Sequence, residues 1–340
     1  MSDEVIAFMA QVSDKIKGVG REFLPAGFRL VEVPPDAAAP EMARIVVQAR
    51  YFLGFITKPM TPAFYDAMRG TSRLVQLLSA GYDQVDLGRL RESRIPLAAN
   101  GGANAVAVAE HAILLILAVL RRLRMLDART RAGEWRPAGP DAEIYELDGK
   151  RVGLMGLGAI GRHVAVRLRA FGVDLQYFDV RRLPEEEERA LGITHVALDA
   201  LLATSDVISL HVPLTAVTAG LINQDRLAMM KKGAVLINTC RGEVVDERAL
   251  YEALERRYLL GAGLDTFAVE PPDRNNPLFT LPNVILTPHI AGPTWESWRK
   301  RFRNGYANVT RVAEGKRPLW VVPELVDLVP WWSDQSAGRS

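Results

Sequence analysis

Short apolar runs alternate with amphipathic stretches between about residues 150 and 290. The apolar runs are rich in β-branched residues and nearly continuous in hydrophobic character, as expected of strands that are covered on both faces. They predict six strands: Arg151–Gly156, Asp174–Phe178, Val207–His211, Ala234–Asn238, Gly261–Asp265 and Val284–Thr287. The stretches between them have helical periodicity, and Asp246–Arg257 begins with a residue suited to an N-cap. This alternation is typical of βαβ units in a parallel sheet.

The first hundred residues show a second, smaller α/β pattern, with predicted strands at Tyr51–Ile56, Leu74–Ser79 and Ile95–Ala98. One long helix is predicted from roughly Asn104 to Ala132, and another over about Thr294 to Glu314. We expect the last helix to pack on the first domain. The patterns therefore predict two Rossmann-like domains of α/β class with doubly wound parallel sheets. In this arrangement residues 102–291 are inserted in a discontinuous domain of residues 1–101 and 292–340.

The composition is that of a globular protein. The chain has 340 residues, 49% of them hydrophobic and 24% charged, a length at which two domains are the usual outcome. Forty-two basic and 40 acidic residues leave a net charge of +2, which provides no sequence-wide field to attract nucleic acid. The longest apolar run, Ala112–Leu120, stops well short of the roughly 20 residues that a membrane span needs. Without a signal-peptide pattern, and with Cys240 as the single cysteine, we expect a cytoplasmic protein.

A glycine-rich segment follows the first strand of the larger domain, with G-x-G-x-x-G at Gly156, Gly158 and Gly161. The first glycine permits a tight turn, the second lets the backbone approach a pyrophosphate, and the third allows close helix–strand packing. The N–H groups of Ala159 and Ile160 would then point at the phosphates from a helix N-terminus. Because strand, glycines and helix occur in the required order, the segment predicts a dinucleotide site.

An acidic residue for the ribose is expected at the end of the second strand. Asp179 stands there, 18 residues after Gly161. A carboxylate at this position accepts hydrogen bonds from both ribose hydroxyls and repels a 2′-phosphate, so we predict NAD rather than NADP. Arg181 and Arg182 lie just beyond it and would weaken that preference. The acidic run Glu185–Arg189 is typical of a solvated helix face.

Further motifs occur in a fixed order around this segment. They are residues 100–112 (N-G-G-A-N-A-V-A-V-A-E-H-A), 238–247 (N-T-C-R-G-E-V-V-D-E), 265–271 (D-T-F-A-V-E-P) and 287–292 (T-P-H-I-A-G). With them the sequence resembles the D-isomer-specific 2-hydroxyacid dehydrogenase family, from about Tyr51 to Pro318. The resemblance implies an NAD(H)-dependent oxidoreductase that interconverts a D-2-hydroxy acid and its 2-oxo acid.

The resemblance implies a catalytic set of Arg241, Glu270 and His289. A planar guanidinium suits the carboxylate and carbonyl of a 2-oxo acid, because its forked donors can hold both groups. Hydride transfer at C2 requires a proton to move on or off the oxygen, a task suited to the imidazole of His289. Glu270 would bind the other ring nitrogen, orient the ring and favour its protonated form.

The resemblance assigns binding contacts as well. Ala80 and Gly81, in the turn Ser79–Asp83, would bind the substrate carboxylate through backbone N–H groups. Asp265 would lie near the nicotinamide carboxamide. The other implied cofactor contacts are Val108, Val212, Pro213, Thr218, Thr239, Cys240, Arg241 and His289. The four histidines other than His289 show no metal-ligand spacing, so no metal site is expected; they are His111, His163, His195 and His211.

Departures from the family patterns restrict the substrate. Ala80 replaces the lysine of phosphite-oxidising relatives, and Glu270 replaces the glutamine of formate-oxidising ones, so neither substrate is expected. Trp295 and Trp298 either cover the pocket or pack on the terminal helix, and Trp135 either reaches a partner's active site or has no such role. Apolar residues on several faces of the 104–132 helix favour a homodimer built on the cofactor domain.

Two other functions fit the same fold. One is an NADH-sensing corepressor-like binding protein, which would bind NADH without reducing 2-oxo acids. The other is a hydrolase of the adenosylhomocysteine type, which the Arg–Glu–His set disfavours. The group on C2 of the substrate is left open, from glyoxylate and hydroxypyruvate to bulkier aliphatic and aromatic 2-oxo acids.

Overall fold

The computed structural model describes residues 3–34, 36–135 and 143–329. The chain divides into two compact units. The first contains the residues up to Asn104 and those from Pro293 onward, and the second is Ala105–Gly292.

The strands, in chain order, are β1 (Glu4–Met9), β2 (Phe28–Glu32), β3 (Tyr51–Gly54), β4 (Leu74–Leu77), β5 (Leu97–Ala98), β6 (Arg151–Met155), β7 (Asp174–Phe178), β8 (Ile193–His195), β9 (Val207–Leu210), β10 (Val235–Asn238), β11 (Gly261–Leu264) and β12 (Val284–Leu286). The α-helices are α1 (Asp14–Glu22), α2 (Ala39–Val46), α3 (Pro62–Met68), α4 (Leu87–Glu92), α5 (Ala105–Leu120), α6 (Leu123–Arg131), α7 (Ala159–Leu168), α8 (Glu185–Leu191), α9 (Leu198–Thr204), α10 (Gln224–Met229), α11 (Glu247–Glu255) and α12 (Trp295–Ala313). Short 3₁₀ turns lie at Arg169–Phe171, Gly242–Val244, Pro277–Thr280 and Pro323–Leu328.

Each unit is built on a parallel sheet. The first has five strands in the order β2-β1-β3-β4-β5, and the second has seven in the order β12-β11-β10-β9-β6-β7-β8. The strand order of the second sheet reverses between β6 and β9. In open parallel sheets, ligands bind beyond the carboxyl ends of the strands at such a switch point. The predicted fold class is therefore confirmed, and the second sheet places a site at the ends of β6, β9, β10, β11 and β12.

Three strands were not predicted: β1, β2 and β8. The β1 segment is a glutamate followed by five apolar residues, and periodicity alone does not distinguish a strand from a buried helix at that length. The β2 and β8 segments carry few fully buried side chains because both lie at sheet edges. Neither segment therefore has the nearly continuous apolar run from which other strands, including the edge strand β12, were predicted.

The prediction of a single helix from Asn104 to Ala132 is wrong. α5 ends at Leu120, and Arg122 adopts left-handed backbone angles (φ 50°) before α6 begins. The carbonyl of Leu120 accepts a hydrogen bond from the N–H of Tyr145 (3.0 Å), and Arg122 Nε donates to the carbonyl of Glu143 (2.8 Å). The returning chain thus binds at the helix end.

In the described part of the chain no helix is long and apolar enough to cross a membrane.

Helix α12 completes the core of the first unit. Thr294 caps its N-terminus by accepting from the N–H of Ser297 (3.2 Å). Trp298 and Phe302 are buried and stack with ring centroids 6.2 Å apart. Packing on the terminal helix is therefore the role that the structure shows for Trp298, whereas Trp295 is 43% exposed. The helix approaches the sheet closely at Gly305, where a Cβ would lie 2.7 Å from Leu53 Cδ1.

Candidate active site

The glycine segment forms the turn between β6 and α7. Gly156 has left-handed backbone angles (φ 90°), and a Cβ there would lie 2.6 Å from the carbonyl oxygen of His211. A Cβ on Gly161 would lie 2.3 Å from the carbonyl oxygen of Gly156, so only glycine lets α7 approach the turn this closely. At Gly158 a Cβ would meet no described atom within 4 Å. The turn therefore leaves open the approach that a pyrophosphate requires.

The other predicted members of the dinucleotide site surround this turn. Ala159 and Ile160 lie in the first turn of α7, where backbone N–H groups have no acceptor within the helix. Asp179 follows β7, and its carboxylate accepts from the N–H of Leu157 (2.8 Å) and from that of Arg181 (3.0 Å). These bonds hold the carboxylate beside the glycine turn. The residues present thus fit the pyrophosphate and ribose of a dinucleotide.

The interpretation of Glu185–Arg189 as a solvated helix face is wrong at Glu188, which is only 8% exposed. Glu188 accepts from Nε and Nη2 of Arg182 (both 3.0 Å) and from the hydroxyl of Tyr177 (2.8 Å). Arg182 and Tyr177 hold the pKa of the Glu188 carboxyl at about 2, well below its ordinary value. The fork of Arg182 is therefore occupied by an internal carboxylate.

Polar atoms without partners collect at the carboxyl ends of the central strands. Among the described residues, His211 Nδ1, Thr239 Oγ1 and Thr266 Oγ1 are buried and have no hydrogen-bond partner. These residues follow β9, β10 and β11, three neighbours in the second sheet. Buried polar groups normally have partners, so these atoms fit a bound polar group such as the nicotinamide end of a dinucleotide. Thr239 was predicted as a contact. His211 and Thr266 were not, although Thr266 lies within the motif of residues 265–271.

Cys240 lies beside Thr239 and does not have the character of a nucleophile. Its Sγ donates to Asn238 Oδ1 (3.1 Å), and burial raises the pKa of the thiol to about 11. A thiol with this pKa is protonated at neutral pH, whereas nucleophilic attack requires the thiolate. The side chain therefore acts as a small apolar group in the turn after β10.

His289 and Glu270 form the central pair of the site. His289 Nδ1 lies 2.6 Å from Glu270 Oε2, with the side chains 47% and 37% exposed respectively. Glu270 also accepts from the N–H of Phe267 through Oε1 (3.1 Å). Both oxygens of the carboxylate are thus engaged. The imidazole is held through Nδ1, and no described residue forms a hydrogen bond with its Nε2.

The charges around Glu270 favour its ionised form. Burial works to raise the pKa of the Glu270 carboxyl, but the bond and charge of His289, the Phe267 N–H and the Arg241 guanidinium outweigh it. The pKa is therefore below its usual value. Arg241 follows β10, and its Nη1 donates to the carbonyl of Cys240 (2.8 Å). The second unit thus brings Arg241, Glu270 and His289 together at the ends of neighbouring strands.

The turn that carries His289, residues 287–291, is held by one buried carboxylate. Asp265 Oδ1 accepts from Thr287 Oγ1 (2.6 Å) and from the N–H of Ile290 (2.9 Å), and Oδ2 accepts from the N–H of Ala291 (2.9 Å). His111 Nε2 on α5 lies 2.9 Å from Thr287 Oγ1. Because Asp265 is 1% exposed, these contacts show it as a support of the His289 turn.

The remaining predicted binding residues lie on α5, in the loop after β9 and in the first unit. Val108 is 4% exposed on α5. Val212 and Pro213 follow β9, and Thr218 closes their loop by donating from Oγ1 to the carbonyl of Pro213 (2.6 Å). Ala80 and Gly81 belong to the first unit, in the turn after β4. Within the described ranges, no group of three or more His, Cys, Asp or Glu side chains could hold a metal ion.

Replacing Asp265 with Asn should destabilise the second unit. An amide offers one acceptor oxygen where the carboxylate offers two, so at least one donor of the His289 turn loses its partner. Each such loss costs about 1–3 kcal/mol in the free energy of unfolding. Urea unfolding followed by far-UV circular dichroism measures the change, with the exposed Asp225→Asn as the control. An Asp265→Asn midpoint equal to that of the wild type would show that the carboxylate is not the support of the turn.

Comparison with known proteins agrees with this geometry. Residues 113–291 match the model of the D-isomer specific 2-hydroxyacid dehydrogenase NAD-binding domain. A glyoxylate reductase of Thermofilum pendens is 41% identical over 248 residues, which span 72% of this chain and 73% of that protein. A hydroxypyruvate reductase of Thermotoga maritima is 39% identical over 230 residues, spanning 67% and 73% of the two chains.

The solved structures show the same likeness. A glyoxylate reductase from Paecilomyes thermophila superposes with a TM-score of 0.83 at 30% identity, covering 95% of this chain and 99% of that one. The model match extends over more than half of the chain and over the strands that carry the glycine turn, Arg241, Glu270 and His289. The chain therefore belongs to the D-isomer specific 2-hydroxyacid dehydrogenase family, whose members are oxidoreductases, and its second unit contains that family's NAD-binding domain.

Proposed function

We propose that the protein reduces a small 2-oxo acid to the D-2-hydroxy acid with NADH, and catalyses the reverse oxidation with NAD. The observation that carries this proposal is the 2.6 Å contact between His289 Nδ1 and Glu270 Oε2, formed beside Arg241 at the ends of β10, β11 and β12. An imidazole held by a carboxylate through one nitrogen presents the other to a reacting oxygen, which is the arrangement of a general acid–base.

Each member of the set has a separate task in the proposed reaction. Arg241 binds the carboxylate and the carbonyl oxygen of the substrate through its forked donors. His289 donates the proton from Nε2 to the carbonyl oxygen as the alcohol forms, and takes it back in the oxidation. Glu270 fixes the ring through Nδ1 and balances the charge of the imidazolium. The nicotinamide, when bound, supplies or receives the hydride at C2.

The substrate that we propose is a short 2-oxo acid of the glyoxylate and hydroxypyruvate class. The names of the relatives from Thermofilum pendens, Thermotoga maritima and Paecilomyes thermophila support this class. The first unit offers hydrogen-bond donors for the substrate carboxylate. No described atom accepts a hydrogen bond from the N–H of Ala80 or Gly81. We assign these two amides to the substrate carboxylate, and the first unit to substrate binding.

For the cofactor we propose NAD in preference to NADP. Asp179 is fixed beside the glycine turn by two backbone N–H groups, where its charge would repel a 2′-phosphate. Arg182 would be the natural counter-charge for that phosphate, but its fork is held by Glu188. The expectation that both arginines weaken the preference therefore loses support for Arg182.

We also propose a homodimer formed through the NAD-binding unit. Much of α5 is already buried in the core of its own unit, including Ile113, Leu115 and Ile116. Leu114 on α5 and Leu123 at the start of α6 are each 52% exposed. Two large apolar side chains exposed on consecutive helices are the feature that a second copy would cover.

The first test follows loss of NADH absorbance with a panel of 2-oxo acids: glyoxylate, hydroxypyruvate, pyruvate and phenylpyruvate. We expect turnover with a short member of the panel. His289→Ala should reduce kcat by at least about 100-fold, the usual range for a positioned general acid. The NADH dissociation constant should stay within about twofold, because the glycine turn and Asp179 are untouched. Glu270→Gln should also lower kcat, since it removes the charge that balances the imidazolium.

Two results would count against this function. A wild-type protein that binds NADH in a fluorescence titration but reduces no 2-oxo acid would favour the NADH-sensing binding protein. A His289→Ala variant that keeps most of the turnover would show that another group supplies the proton. Cofactor that stays bound through purification would instead favour the hydrolase of the adenosylhomocysteine type.

The second test concerns cofactor choice. Asp179→Ser should raise the ratio of NADPH to NADH kcat/KM by about 10- to 100-fold, since roughly 1–3 kcal/mol of discrimination is removed. Glu188→Gln should add to this effect, because it releases the fork of Arg182. Glu186→Gln is the matched control on α8, because Glu186 is exposed and forms no ion pair among the described residues. If the double variant Asp179→Ser/Glu188→Gln has the same ratio of NADPH to NADH kcat/KM as Asp179→Ser, the Arg182–Glu188 pair has no role in cofactor choice.

The third test concerns assembly. We expect sedimentation velocity of the wild type to show a dimer, and the double variant Leu114→Lys/Leu123→Lys to sediment as a monomer, because two buried charges at the interface would lack partners. Val47→Lys, at a 46% exposed valine in the other unit, is the control and should leave the dimer intact. A dimer that survives both lysines must be formed by another surface.

A further inference from the structure

Arg301 is a buried cation in the core of the first unit. It lies on α12 and is 5% exposed. Its guanidinium carbon lies 5.2 Å from the ring centroid of Trp298 and 5.7 Å from that of Phe55. Burial lowers the pKa of the guanidinium to about 10, which leaves it charged at neutral pH, and no charged neighbour contributes to this shift.

This charge has little compensation from the protein. Its Nη1 donates to the carbonyl of Leu78 (2.6 Å), whereas Nε is buried with no partner among the described residues. No described carboxylate forms an ion pair with it. Removing a charge from water without an opposite charge is costly, and one carbonyl and two aromatic faces offset only part of that cost. An anion from outside the chain would supply the rest.

The segment next to Arg301 has the form of an anion-binding loop. In the segment 78–81, which we call the carboxylate loop, three carbonyl groups are held by donors. Leu78 accepts from Arg301, Ser79 accepts from the N–H of Asn100 (3.0 Å), and Gly81 accepts from the hydroxyl of Ser79 (2.8 Å). The N–H groups of Ala80 and Gly81 have no acceptor among the described residues. Three of the four carbonyl groups of the loop therefore have donors, whereas the N–H groups of Ala80 and Gly81 are available to an anion.

We propose that Arg301 is a positioning residue for the substrate carboxylate. It anchors the start of the carboxylate loop through Leu78, and its buried charge strengthens the attraction of the Ala80 and Gly81 amides for an anion. This inference rests on the proposed function, since it takes the bound anion to be the carboxylate of a 2-oxo acid. Arg301 itself remains in the core and takes no part in proton transfer.

The test compares Arg301→Met, which removes the charge at similar volume, with Arg301→Lys, which keeps it. The probe is oxamate, a small carboxylate shaped like a 2-oxo acid, titrated into protein saturated with NADH. We expect the oxamate dissociation constant to rise by at least about 10-fold in Arg301→Met and by less than about threefold in Arg301→Lys, because Coulomb attraction depends on the charge. KM for the 2-oxo acid should rise in parallel, with kcat and the NADH dissociation constant nearly unchanged.

Arg299→Met is the control on the same helix, since Arg299 is 41% exposed and pairs with Glu22 at 3.1 Å. It should bind oxamate as the wild type does. Unchanged oxamate affinity in Arg301→Met would overturn the proposal, as would Arg301→Lys being as weak as Arg301→Met at equal thermal stability. Both results presuppose an active wild type. A wild type that neither reduces 2-oxo acids nor binds oxamate would instead overturn the proposed function, and the role of Arg301 with it.

Discussion

The buried carboxylate of Asp265 is the constraint on which the geometry of the site depends. It accepts hydrogen bonds from the hydroxyl of Thr287 and from the N–H groups of Ile290 and Ala291. The turn that carries His289 therefore has little conformational freedom. His289 itself has left-handed backbone angles (φ 52°), a conformation that a residue with a Cβ holds only when its surroundings impose it. The imidazole of His289 is therefore placed by a carboxylate that lies 24 residues earlier in the sequence.

In the second unit, one edge of the sheet brings residues from distant parts of the sequence together. Parallel strands end at one edge, so residues that follow β6, β9, β10, β11 and β12 meet there even though they are distant in sequence. The close approaches at Gly156 and Gly161 let α7 begin at that edge. Short turns at this edge are therefore enough to bring the glycine turn, Arg241 and the Glu270–His289 pair together.

What the sequence predicts well are features that depend on local chemistry. Six strands of the second sheet are nearly continuous apolar runs, and the glycine spacing follows from backbone sterics. The N-cap at Asp246 is visible as a single residue, because it needs only a side-chain oxygen three positions before an N–H. The edge strands β2 and β8 and the break between α5 and α6 were missed, since each depends on what covers the segment in the fold.

The surroundings of the two buried charged residues, Glu188 and Arg301, could not be predicted from the sequence pattern. Glu188 stands in a run of four glutamates, yet it alone is withdrawn to bind Arg182 and Tyr177. Arg301 stands in a strongly basic helix, and its surroundings come from Leu78 and Phe55, which are more than 200 residues away in the chain. Helical periodicity identifies a buried face but not the partner that meets it. A charge on such a face is costly unless something compensates it. For Glu188 the compensating partner is Arg182 of the same chain, and for Arg301 it is the proposed anion.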